Sequence, residues 1–204
     1  MASGRRLERK AREALARCGA RLFERRLVTG SSGNLSYRLD DGTLLVTPSA
    51  RSIGDLDPEE LVRVSADGLP LGEGRATSEL PLHVAAYRAR PEIRCVVHTH
   101  PTMCVLWSKT GAIFPRDTVG ASETLRACAW TPYHKNGTPE LAEVCAAQFA
   151  AGVDVVMMER HGLSVVSTTL EDAFLQTDLA EEAARLAYYG ALLQGASGSA
   201  PNRG

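Results

Sequence analysis

Leu7, Ala11, Ala14, Leu15, Cys18, Leu22 and Phe23 recur at helical spacing, and arginines fill much of the opposite face. Such a pattern predicts an amphipathic N-terminal helix. The pattern then changes. "LSYRL" alternates and "TLLVTP" is a short apolar run, with Asp40-Asp41-Gly42 between them. Two strands joined by a glycine turn are expected there. "IGDLDPEELVRV" predicts a short helix capped by Asp57, with Pro58 in its first turn.

"TSELPLHVAAYRARPEI" predicts a second helix, with Thr77 or Ser78 as cap and Pro81 where a helix tolerates proline. "IRCVVHTH" reads as a strand, and "TMCVLWSKTG" fits either a helix or a strand. "TPELAEVCAAQFAAG" predicts a helix capped by Thr138 and closed by Gly152. "VDVVMMERHG" reads as a buried strand and turn, "LSVVS" as another strand, and "TLEDAFLQTDLAEEAARLAYYGALLQG" as a long helix. One α/β or α+β domain over residues 1–195 is expected, with 196–204 a disordered tail.

Composition narrows the partners. The formal net charge of -1 gives no global basic field for nucleic acid or an anionic membrane. No apolar run approaches the roughly 20 residues of a spanning helix. The charged start "MASGRRLERK" is unlike a secretory leader, so a cytoplasmic protein is expected. The five cysteines are scattered without a C-x-x-C, which fits small buried side chains rather than a disulfide framework.

The candidate chemistry lies in "CVVHTHP". Residues two apart on a strand face the same side, so His98 and His100 project together from the strand's end. Two imidazoles there can reach one metal ion. Glu79 opens the helix leading into this strand, and His161 lies at the turn after another buried strand. Three imidazoles and a carboxylate make a plausible donor set for a catalytic Zn²⁺ site, although Mn²⁺ and Co²⁺ suit the same donors. Each residue also has an ordinary structural reading, since acids favour the first turn of a helix and histidine is common beside a turn glycine. His83, four residues after Glu79, belongs to the core or supports the site from behind. "TGSSGN", "TPSA" and "ATS" are loops of hydroxyls, amides and glycine that could cradle a phosphate.

The motifs "TGSSGNLSYRL", "LLVTPSA", "TSELPLHVAAYRARPEIRCVVHTHP", "PYHKNGTPELAE" and "ERHGLSVV" resemble, in order, those of the class II aldolase/adducin family, and most closely its branch acting on L-fuculose 1-phosphate. The resemblance covers about residues 5 to 195. It implies an α/β/α sandwich around a mostly antiparallel sheet, and a homotetramer with active sites between subunits. It implies Zn²⁺ on His98, His100 and His161, with Glu79 as both metal ligand and catalytic base. Phosphate contacts would fall on Thr29, Gly33, Asn34, Ser49, Thr77 and Ser78. The implied reaction splits a ketose 1-phosphate, such as L-fuculose 1-phosphate or a 5-deoxypentulose 1-phosphate, into dihydroxyacetone phosphate and an aldehyde. Dehydratase, decarboxylase and epimerase branches share the site, and adducin-like interaction domains share the fold without the metal histidines. Two departures stand out. Ala50 replaces a frequent glycine, and the segment after H-T-H lacks the aldolase tyrosine, with Val119 near its place. Tyr133 or His134 would have to supply that proton transfer.

Overall fold

Alternate residues of each central strand feed two different cores, and this decides where the histidines point. The computed structural model describes residues 2–198. Its sheet has seven strands: β1 Asn34–Arg38, β2 Leu44–Val46, β3 Val62–Val64, β4 Cys95–Thr99, β5 Cys128–Thr131, β6 Val155–Met158 and β7 Gly162–Ser167. Their spatial order is β3-β2-β1-β4-β7-β6-β5. Every neighbouring pair is antiparallel except β5 with β6. Among the described residues there are six α-helices: α1 Ala2–Glu24, α2 Leu80–Ala89, α3 Thr102–Ser108, α4 Val119–Glu123, α5 Pro139–Ala150 and α6 Leu170–Gly198.

Leu35, Cys95, Val97, Val155 and Val165 pack with Leu15 and Leu22 of α1 and Phe174 and Ala180 of α6. Val46, Val96, Val156 and Val166 pack with Leu82 and Ala86 of α2 and Leu141 and Phe149 of α5. The result is a sandwich, helices on each face of one mixed, mostly antiparallel sheet. Burying such side chains contributes about 1.5–3 kcal/mol each.

The expected hairpin is β1 and β2, with Ser36 opposite Val46 and Arg38 opposite Leu44. "TMCVLWS" is helical. The carboxylate of Glu181 on α6 accepts from the Met103 and Cys104 amides, so it satisfies free donors of the first turn of α3. Thr138 caps α5 by accepting from the Leu141 amide.

Three expectations need correction. The helix expected around Asp57 is only a 3₁₀ turn, Pro58–Glu60, and "VRV" after it is the edge strand β3. The cap of α2 is neither Thr77 nor Ser78 but Glu79, which makes no side-chain capping bond. Thr77 instead closes a local turn, with its hydroxyl accepting from the Glu79 amide. At the other end, α6 continues through Ala196 to Gly198, and the remainder of the expected tail lies outside the described residues.

Candidate metal centre

Three elements deliver the four donors. In β4, Cys95 and Val97 face the α1/α6 core, so Val96 and His98 face the α2/α5 side. His98 sits opposite Asn34 of β1 and Ser164 of β7, in the middle of the sheet. His100 lies just past the end of β4, and its amide donates to the Leu27 carbonyl. Glu79 arrives from the N-terminus of α2 and His161 from the β6–β7 turn. Gly162 explains the H-G pair: a Cβ there would lie 2.2 Å from the Thr99 carbonyl oxygen and 2.7 Å from His100 Cδ2.

The donor atoms all lie within 4.8 Å of one another. Glu79 Oε2 is 2.9 Å from His98 Nε2, and Oε1 is 3.2 Å from His161 Nε2. His98 and His100 approach to 2.9 Å through their Nε2 atoms. His98 Nδ1 lies 3.1 Å from the Leu163 carbonyl oxygen, which can only accept. Nδ1 therefore carries a proton, which leaves Nε2 as the nitrogen that can offer a lone pair to a metal ion. Donors that converge from one carboxylate and three imidazoles suit a cation placed among them. Glu79 Oε1 is moreover a buried oxygen with no hydrogen-bond donor. These residues fit a divalent metal ion.

The electrostatics favour the ligating forms. Burial works to raise the Glu79 carboxyl, but His98 and His161 outweigh it and hold the group far below the usual carboxylate range. Burial, helped by His98 and His161, lowers His100 to about 3, so its ring is neutral at ordinary pH.

Behind Glu79 lies a buried polar chain. Asn34 Nδ2 donates to Glu79 Oε2 at 3.0 Å, and Asn34 Oδ1 faces His83 Nε2. His83 Nδ1 is 2.7 Å from Ser36 Oγ, which is 2.9 Å from Tyr87 Oη. Burial lowers His83 to about 3, with His98 adding to the shift. Helical spacing pointed to His83; nothing in the sequence marked Ser36 or Tyr87.

The hydroxyl loops are joined to one another and to the start of β1. The Pro48–Ala76 bridge and the Thr77 amide bond to the Thr47 carbonyl join the Ser49 and Thr77–Ser78 segments. The Thr47 hydroxyl accepts from the Leu35 amide, which ties both to Gly33 and Asn34. Thr77 is buried and Ser78 exposed. Thr29 opens the exposed turn before Gly33, its amide bonded to Ser32 Oγ. The Asn34 amide group points to Glu79 and His83. Tyr133 and His134 follow β5, and Arg160, next to His161, stacks 4.4 Å from the Tyr133 ring centre. Val119 lies exposed on α4.

Residues 13–188 match the class II aldolase and adducin N-terminal domain. The chain is 32% identical over 187 residues to the 3-oxo-tetronate 4-phosphate decarboxylase of Escherichia coli K12, covering 89% of this chain and 88% of that one. It is 33% identical over 165 residues to an L-fuculose phosphate aldolase of Methanococcus vannielii, covering 81% and 88%. The solved L-fuculose-1-phosphate aldolase of Thermus thermophilus superposes with a TM-score of 0.80 at 28% identity, covering 94% of this chain and 98% of that one. The chain belongs to the class II aldolase and adducin family.

Proposed function

Starting from that membership, we propose that this protein is a metal-dependent carbon–carbon lyase that releases dihydroxyacetone phosphate from a phosphorylated sugar derivative. The observation that carries the reading is the convergence of Glu79, His98, His100 and His161 on one point. Those residues would hold Zn²⁺, or Mn²⁺ or Co²⁺ in its place. An ion held there would supply Lewis-acid charge to stabilise the electron pair left when the carbon–carbon bond breaks. Thr29, Gly33, Ser49, Thr77 and Ser78 would bind and orient the phosphate, and Asn34, whose side-chain amide is engaged with Glu79 and His83, would contribute only through its backbone.

We favour a 3-oxo acid 4-phosphate as substrate. Its C1–C2 bond breaks, carbon dioxide leaves, the electron pair stays on C2, and one proton must reach that carbon. Glu79 is the group to carry it, taking the proton from solvent water first because its carboxyl is ionised at rest. Aldol cleavage of a ketose 1-phosphate breaks C3–C4 and asks for a second group to take the C4 hydroxyl proton. The segment between His100 and Tyr133 carries no tyrosine. Decarboxylation needs no such group, and relatives named as decarboxylases match at the level of the aldolases.

The aldolase reading, with L-fuculose 1-phosphate or a 5-deoxypentulose 1-phosphate as substrate, is supported by the Methanococcus relative and by Tyr133 standing beside Arg160. The family resemblance supports a homotetramer with sites between subunits. Among the described residues no helix is long and apolar enough to cross a membrane, and we assign the protein to the cytoplasm.

The test supplies zinc-loaded protein with each substrate and measures carbon dioxide, aldehyde and dihydroxyacetone phosphate. Carbon dioxide with dihydroxyacetone phosphate from the 3-oxo acid, lost in Glu79→Gln, is the expected result. Aldehyde from a ketose phosphate would move the assignment to the aldolase. No dihydroxyacetone phosphate from either class would overturn the lyase reading.

A further inference from the structure

The buried chain behind Glu79 has one direction of donation, and the carboxylate fixes it. A carboxylate only accepts, so Asn34 turns its NH₂ group to Oε2. Asn34 Oδ1 then faces His83 Nε2, which must be the protonated nitrogen. His83 Nδ1 is left as an acceptor, and the Ser36 hydroxyl donates to it. With its one proton used, Ser36 can only accept from Tyr87, whose hydroxyl also lies 3.4 Å from the Arg94 carbonyl oxygen and shares its proton between the two acceptors. Ser36 and His83 are fully buried and Asn34 and Tyr87 nearly so, which leaves water little access to compete. The opposite amide orientation at Asn34 would set an oxygen against Oε2 and an NH₂ group against the His83 N–H.

We propose that His83, acting through Asn34, is a positioning residue that selects the working oxygen of Glu79. Asn34 holds Oε2, so the carboxylate pivots on that bond. Oε1, which accepts no hydrogen bond and lies 3.2 Å from His161 Nε2 on the side of the clustered donors, is the oxygen left free to swing to the substrate. The proposal rests on the reading of Glu79 as proton carrier, but its structural half concerns the resting protein alone.

Two variants separate this role from a merely structural one. Gln at position 83 can place its amide nitrogen where His83 Nε2 stands, keeping the bond to Asn34 and losing that to Ser36. Asn at position 83 reaches only the Nδ1 place, keeping Ser36 and losing Asn34. Each change deletes one buried bond, so a structural role predicts similar damage from both. The positioning role predicts that zinc-loaded His83→Asn keeps its metal and KM but loses about a hundredfold in kcat for exchange of the C3 proton of dihydroxyacetone phosphate in D₂O. His83→Gln should stay within about fivefold of the parent by the same measure. Equal kcat in the two variants, or a change in KM alone, would overturn the proposal.

A second measurement needs neither catalysis nor a variant. In ¹⁵N NMR of the zinc-loaded parent protein, His83 should be the Nε2–H tautomer and the Asn34 NH₂ protons should exchange slowly with water. An Nδ1–H tautomer at His83, or rapid exchange at Asn34, would overturn the proposal even if the variants fail to fold. If the parent protein catalyses no exchange while both NMR signatures are present, it is the lyase reading that fails, and the orienting array stands.

Discussion

Adding one methyl group at Gly162 should damage the centre without replacing any of the four candidate metal donors. Its new Cβ would sit 2.2 Å from the Thr99 carbonyl oxygen and 2.7 Å from His100 Cδ2. The first of these is backbone in the β4–β7 ladder, where Thr99 pairs with Leu163, so rotating a side chain cannot relieve it. Relief takes a shift of roughly an ångström in the strand end that carries His98 and His100. Overpacking of this kind costs about 1–3 kcal/mol. For a chain of this size that is a fall in Tm of about 2–12 °C. A displacement of about 1 Å at a reacting centre costs about a hundredfold in rate. Thermal unfolding of Gly162→Ala measures the first effect, and turnover of the zinc-loaded variant the second, with zinc affinity followed by calorimetry. Parent-like zinc affinity together with a Tm within about 1 °C of the parent would refute the reasoning, because it would mean that β4 and the β6–β7 turn are not in close contact.

Ala50 holds a φ of 59°, a left-handed conformation that costs residues with a Cβ. Ala50→Gly should therefore raise stability by about 0.5–1 kcal/mol, read as a higher urea midpoint with an unchanged slope. Zinc at a thousandfold excess over its Kd should stabilise the parent protein by about 4 kcal/mol, and His98→Ala should abolish that gain in a thermal-shift titration. His83 is lowered to about 3 in the fold from an ordinary 6.5, so the unfolded chain binds the extra proton between those values and stability falls as pH falls through that window. The contribution is about 1.4 kcal/mol per pH unit, flat above pH 6.5, and urea titrations at several pH values should show it removed in His83→Gln.

The four candidate donors, which the fold brings within 4.8 Å of one another, were legible in the sequence because each rule involved is local. Strand alternation puts His98 and His100 on one side, and the apolar run before them marks the strand. The two strands it hid are the two sheet edges. β3 is three residues with Arg63 at its centre, and three of the four β5 residues are only partly buried. Strands covered on few sides carry little hydrophobic pattern. β5 also pairs in parallel with β6, Cys128 opposite Val155, a partnership that no local turn announces. The cap of α2 was misread because Thr77 and Ser78 have the right chemistry one or two positions too early. The array behind Glu79 joins residues from β1 and α2, and only the fold brings them together.

The short edges have a consequence for the protein in bulk. A sheet border invites other chains to extend it, and every free rung lengthens the template. Here β3 offers only three residues, and Arg63 among them is engaged with Glu8 and Asp41. The Leu71 amide already donates to the Arg63 carbonyl, and Val64 bridges Pro70. At the opposite border β5 ends after four residues, just before Pro132. Misassembly by strand addition has little to grow from at either border, so the protein should tolerate high concentration without seeding fibrils.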